Sequence, residues 1–161
     1  MRAATQRFQG KSARQRLAPY DSAMRILAHG IDIVEVARIV RMLHDHGERF
    51  LERCFTDVEQ AYAQATLLSS PAPGPGISKR SAERLAARFA CKEAVFKALG
   101  TGWKSGISWR DVGVVHEPSG QPSLVLTGRC AELAGELGIA RWHVSLSHTD
   151  SMAIASVIGI G

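Results

Sequence analysis

Residues 78–100 read SKRSAERLAARFACKEAVFKALG, and the fold turns on how they are arranged. Leu85, Phe89, Phe96 and Leu99 follow one another at spacings of four, seven and three, and Ala82 falls on the same stripe. That pattern predicts one long helix over Ser78–Leu99, closed by Gly100. Two charged residues intrude on its apolar side. At 100° per residue Lys92 falls within the stripe and Glu93 at its edge, where an ionised group needs a partner. Glu93 and Lys97 stand four apart and can pair on a solvated face, with Lys92 laying its stem over the core. The spacing equally allows a site built on Lys92, Glu93 and Lys97.

The segments around this helix are shorter. Ile26–Val34 (ILAHGIDIV) reads as a buried strand. Val36, Ile39, Val40 and Leu43 predict a helix from Glu35 to His46 that Gly47 stops. Thr56-Asp57-Val58-Glu59 is a capping box that starts a second helix, expected to reach Leu68. Residues 69–76 (SSPAPGPG) form a Pro/Gly surface loop. Trp109–His116 and Pro122–Thr127 read as a hairpin, residues 128–138 as a short helix, and Trp142–Ser147 with Met152–Ile158 as a second hairpin. Hairpins around one dominant helix point to an α+β fold, an antiparallel sheet packed on that helix, and not to a doubly wound sheet.

Composition narrows the function. At 161 residues, 45% hydrophobic and 22% charged, the chain suits one domain. The net charge of +5 belongs to residues 1–25, where six Lys and Arg face Asp21 alone. Residues 26–161 carry fourteen basic and fourteen acidic groups. A basic nucleic-acid-binding module is therefore disfavoured, the more so with 6% aromatic residues and no stacking motif. Residues 1–25 read as a basic, disordered extension, and 26–161 as the single domain. The longest apolar run, Met152–Gly161, falls far short of the ~20 residues that cross a bilayer, so no membrane span is expected. Cys54, Cys91 and Cys130 form no zinc spacing and suit a reducing compartment.

Asp32 sits between Ile31 and Ile33 inside an apolar strand. A turn that bonds its carboxylate to backbone is one account. A metal is the other, since Asp32 with Glu93 supplies two hard oxygen ligands of the kind magnesium takes together with water and phosphate. His148, in Ser145-Leu146-Ser147-His148-Thr149, stands at a hairpin end, where turn histidines are common. His116 and His143 carry no signal of their own.

Four blocks resemble, in order, those of the holo-acyl-carrier-protein synthases, small members of the 4′-phosphopantetheinyl transferase superfamily. They are Gly30-Ile31-Asp32-Ile33-Val34-Glu35, residues 50–59 (FLERCFTDVE), residues 88–102 (RFACKEAVFKALGTG) and residues 145–149 (SLSHT). Cys91 replaces the small Ala usual in the third block, a change that buries well. The resemblance implies the 4′-phosphopantetheinyl transferase fold. It implies transfer of the phosphopantetheine arm of coenzyme A to a serine of apo acyl carrier protein, in the cytoplasm, as a step of lipid metabolism. Asp32 and Glu93 then hold magnesium, the base is Lys97 or a metal-bound water, and Lys97 otherwise acts as charge stabiliser. Lys79, Arg80, Arg88, Lys92, His148 and Thr149 contact coenzyme A, Lys92 either serving the phosphates or holding the site together. Arg38, Arg41, Arg49 and Arg53 are the docking residues for an acidic carrier. A homotrimer with sites between subunits is implied as well. The competing expectation is a homologue that binds coenzyme A without transferring its arm.

Overall fold

A computed structural model describes residues 24–64, 78–101 and 106–161. The extension over residues 1–23 and the Pro/Gly loop lie outside the described residues. The expected long helix is α3, Lys79–Ala98, capped by the Ser78 hydroxyl, which accepts from the Ser81 N–H. Nearly every residue from Ser81 to Phe96 is buried, so the helix is surrounded and not merely laid against a sheet.

One side of α3 is covered by a three-stranded antiparallel sheet. Its strands are β1 (Ile26–Glu35), β4 (Arg141–His148) and β5 (Met152–Ile160), in the order β1-β5-β4. Alternation sends Ala28, Gly30 and Val34 of β1, with Ala153, Ala155 and Val157 of β5, toward the helix. The approach is close because these residues are small. A Cβ on Gly30 would run into the Ala94 carbonyl oxygen, so glycine is required there. Asp32 shares the parity of Gly30 and Val34 and is therefore carried toward α3. The opposite face of β1 is open, with Ile31 and Ile33 at 52% and 59% exposure. The strand expected to be buried is thus buried on one face only.

On the other side lie α1 (Val36–Cys54) and α2 (Asp57–Gln64). Gly47 does not end the first helix as expected. It breaks the helix at φ 50° and ψ −126°, and the helical path resumes to Cys54. The described part of α2 ends at Gln64. The hairpin of β2 (Val112–His116) and β3 (Pro122–Leu126) forms a second sheet, and α4 (Gly128–Glu136) follows. Trp109–Asp111 is a 3₁₀ turn and not strand, because Ser108 and Asp111 close a capping box around it. An aromatic cluster fills the space between α1 and α3. Phe50 sits 6.1 Å from Phe89, Phe89 is stacked on Trp109 at 4.4 Å, and Phe96 meets Trp109 edge-on at 5.2 Å. The α+β expectation holds.

Candidate active site

The two carboxylates and the lysine converge where β1 crosses the C-terminal half of α3. Lys97 Nζ donates to Asp32 Oδ1 at 2.6 Å and to the Ile31 carbonyl at 3.1 Å. The Asp32 side chain is 14% exposed and that of Lys97 52%. The i, i+4 pairing of Lys97 with Glu93 is thus replaced by a pairing across the helix–sheet contact. Glu93 is half-buried one helical turn before Lys97. Burial raises the Glu93 carboxyl above its usual range, and the nearby Asp32 charge raises it further, while Arg38 and Lys97 oppose the rise. Two carboxylates that oppose each other's ionisation suit a divalent cation. Among the described residues no third Asp, Glu, His or Cys joins them, so the protein supplies two oxygen ligands and leaves the other positions to water and substrate.

Lys92 is corrected. Its Nζ is wholly buried and lies 2.9 Å from Glu59 Oε2, also wholly buried. It donates besides to the carbonyls of Trp109, at 3.0 Å, and Val112. Its donors are spent and sealed from solvent, so it cannot contact coenzyme A phosphates and instead ties the site's helix to its neighbours. The pairing of Lys92 with Glu59 is what sequence reasoning missed. Glu59 closes the expected capping box, its Oε2 accepting from the Thr56 N–H at 2.7 Å, while Oε1 accepts from the Val114 N–H at 3.1 Å. A charged residue on the apolar stripe of one helix and a Glu opening another were the signals that could have paired them.

Toward the N-terminal half of α3 a cavity of about 400 Å³ is lined by Tyr62, Arg80, Arg84, Arg88, His116 and His148, with Glu83 the acid among its walls. Of the expected coenzyme A contacts, Arg80, Arg88 and His148 are gathered there. Lys79 and Thr149 are not. Lys79 Nζ pairs with Asp150 at 2.7 Å, and the Thr149 hydroxyl accepts from the Met152 N–H within the β4–β5 turn. Arg88 is 2% exposed. Its Nη1 donates to the Arg84 carbonyl at 3.0 Å, while Nε and Nη2 have no partner among the described residues. Tyr62, Arg84 and His116 were not anticipated, although Arg84 stands four residues from both Arg80 and Arg88, the spacing of one helix face.

A second cavity, of about 410 Å³, lies over the aromatic cluster. Arg38, His46, Arg49 and Arg53 surround Met42, Phe50, Phe89 and Trp109. Three of the four expected docking arginines meet at this groove. Arg41 is exposed but is not among its lining.

An acidic pair with a lysine where β1 meets α3, and a basic cavity along the same helix, agree with the resemblance, and residues 28–157 match the 4′-phosphopantetheinyl transferase superfamily. The chain belongs to that superfamily. A superfamily relative named holo-[acyl-carrier-protein] synthase, from Koribacter versatilis, is 45% identical over 133 residues, covering 83% of this chain and 97% of the relative. The holo-[acyl-carrier-protein] synthase of Neisseria meningitidis is similar in structure, with a TM-score of 0.66 at 30% identity, covering 84% of this chain and 98% of that one. The Bacillus anthracis enzyme, solved in complex with coenzyme A (3′,5′-ADP), gives a TM-score of 0.64 at 33% identity, covering 86% and 99%.

Proposed function

We propose that this chain transfers the 4′-phosphopantetheine arm of coenzyme A to a serine hydroxyl of an apo acyl carrier protein. The serine oxygen bonds to the β-phosphorus of the coenzyme A pyrophosphate. The bond from that phosphorus to the departing oxygen breaks, adenosine 3′,5′-bisphosphate leaves, and the serine proton passes to a water molecule at the site. The observation that carries the reading is the meeting of Asp32, Glu93 and Lys97 at one helix–sheet contact, on the same helix that presents Arg80 and Arg88 to a basic cavity.

Asp32 and Glu93 are the residues that would hold magnesium, which when bound offsets negative charge on the pyrophosphate. Lys97 is an ammonium fixed by a carboxylate and a carbonyl, an arrangement that favours charge stabilisation over proton abstraction. Arg88 would meet a coenzyme A phosphate with its two unpartnered donors, which fork toward two oxygens at once. Arg80 and His148 line the same cavity. Lys79 and Thr149 would join only if ligand binding draws them from Asp150 and the hairpin turn.

The carrier would dock at the groove of Arg38, Arg49 and Arg53, where basic groups ring an apolar floor and suit an acidic partner. Arg41 would act by long-range attraction. Self-association as a homotrimer is supported by the open face of the first sheet, where Ile31, Ile33 and Ile154 lie exposed on adjoining strands. A cytoplasmic setting suits three free, buried cysteines. No helix among the described residues is long and apolar enough to cross a membrane.

Incubating the chain with coenzyme A, magnesium and an apo acyl carrier protein tests the reading. The carrier should gain the mass of one phosphopantetheine. An unchanged carrier mass, with a carrier competent toward another transferase, sinks it.

A further inference from the structure

Arg88 poses a problem of orientation. Only Nη1 of its guanidinium is fixed by a hydrogen bond, to the Arg84 carbonyl. Nε and Nη2, which share one edge of the planar group, are buried without a partner. Among the described residues no carboxylate pairs with it. A neighbouring cation, Arg84, lines the same cavity. An arginine so placed needs something other than a counter-ion to hold its open edge in one direction.

Tyr62 supplies it. The Arg88 Cζ stands 4.0 Å from the centre of the Tyr62 ring, and the Arg84 Cζ stands 4.6 Å from the same centre. The negative face of an aromatic ring attracts both cations and lets them lie closer than they could in its absence. The ring is itself fixed. It is stacked on His116 at 4.5 Å with 13° between planes, and the Tyr62 carbonyl accepts from Arg84 Nη1 at 3.1 Å. Burial and the two arginines push the His116 imidazole below its ordinary value, which favours the uncharged ring in the stack. The order His116, Tyr62, arginine pair thus joins β2, α2 and α3 at the wall of one cavity.

We infer that Tyr62 is a positioning residue for coenzyme A. Its ring, braced by His116, sets the open edge of Arg88 toward a phosphate in the cavity and offsets the repulsion between Arg88 and Arg84. This rests on the reading of that cavity as the coenzyme A site. The ring face carries most of this, and the Tyr62 hydroxyl, within reach of the Arg88 guanidinium, adds to it.

The test compares the unchanged chain with Tyr62→Phe and Tyr62→Leu. Coenzyme A affinity is measured by calorimetry, and kcat and both KM values by transfer to carrier. Tyr62→Leu should weaken coenzyme A binding and raise its KM roughly tenfold. The kcat at saturating coenzyme A and the KM for carrier should stay within about twofold, as loss of a binding contact requires. Tyr62→Phe, which keeps the ring and loses only the hydroxyl, should keep most of the affinity of the unchanged chain. Equal affinity in Tyr62→Leu overturns the inference, as does a Tyr62→Phe variant as weak as Tyr62→Leu. A parallel fall in kcat and in carrier affinity overturns it too, since that marks general damage. If the unchanged chain binds no coenzyme A, the reading of the cavity fails and the inference falls with it.

Discussion

Lys92 Nζ and Glu59 Oε2 lie 2.9 Å apart, both side chains wholly excluded from solvent. Glu59 also accepts from Thr56 and Val114, and Lys92 also donates to the Trp109 and Val112 carbonyls. Every polar atom of the pair is therefore matched, which is the condition under which buried charges are tolerated. Burial pulls the Lys92 ammonium below its ordinary value and Glu59 pulls it back. Lys92 is adjacent in sequence to Glu93, so the contact that anchors this turn of α3 also fixes the setting of a site carboxylate.

Removing one partner should be costly. Lys92→Met leaves the Glu59 charge buried and unpaired, and is expected to lower stability by roughly 3–5 kcal/mol. The double change Glu59→Gln with Lys92→Met keeps the cap on α2 and removes both charges, so it should recover part of that loss. Urea unfolding midpoints at constant m-value measure both. A double variant less stable than the single one by the full Glu59→Gln effect would show that the two residues are not coupled.

Gly30 sets the distance between sheet and helix. With a Cβ directed into the Ala94 carbonyl, Gly30→Ala must push β1 away from α3. Destabilisation of about 1–3 kcal/mol or more follows from overpacking of this kind. Because Asp32 lies two residues along the same face, magnesium affinity in the folded variant should fall as well. Calorimetry of magnesium binding at a temperature where the variant is folded checks this. Unchanged affinity would mean that Asp32 does not depend on the close approach.

The Glu93 carboxyl gives the pH dependence. It is held above its usual range by burial and by Asp32, and held down in part by Arg38 and Lys97. A protonated Glu93 cannot serve a cation, so transfer should decline as pH falls through its raised pKa. Arg38→Ala removes an influence that lowers this pKa, and the acid limb of kcat should therefore move to higher pH. Arg38→Lys should restore the limb. Profiles taken at saturating coenzyme A and carrier separate this effect from docking. A shift to lower pH would contradict the placement of Arg38 beside Glu93.

The open sheet face makes an assembly prediction. Ile33 of β1 pairs with Ile154 of β5, and both are exposed. Ile33→Glu puts a charge in that patch and should convert an oligomer to monomer, read by light scattering after size exclusion. An unchanged mass would place the subunit contact elsewhere.

Much of this was legible in the sequence because local pattern and tertiary demand agree. The stripe Ala82, Leu85, Phe89, Phe96 gives α3, the Thr56–Glu59 box starts α2, and Asp32 and Glu93 stand out as carboxylates in apolar company. What was hidden depended on contacts distant along the chain. Lys92 reads like a phosphate ligand until Glu59, 33 positions earlier, is seen to absorb its charge. Lys97 finds Asp32 and not its helical neighbour, because β1 crosses α3 at close range. Tyr62 and His116 lie on separate elements, and neither spacing nor composition announces their stack. Gly47 breaks a helix without ending it, since Phe50 and Cys54 still bury beyond the kink.

Asp32 and Glu93 are expected to act together in phosphopantetheine transfer. Mass spectrometry of apo acyl carrier protein, incubated with coenzyme A, magnesium and either the unchanged chain, Asp32→Ala or Glu93→Ala, tests it most directly. The account predicts a carrier gaining one phosphopantetheine with the unchanged chain, and none with either variant, although both stay folded. Transfer at the unchanged rate by either variant, or none by the unchanged chain, would contradict it.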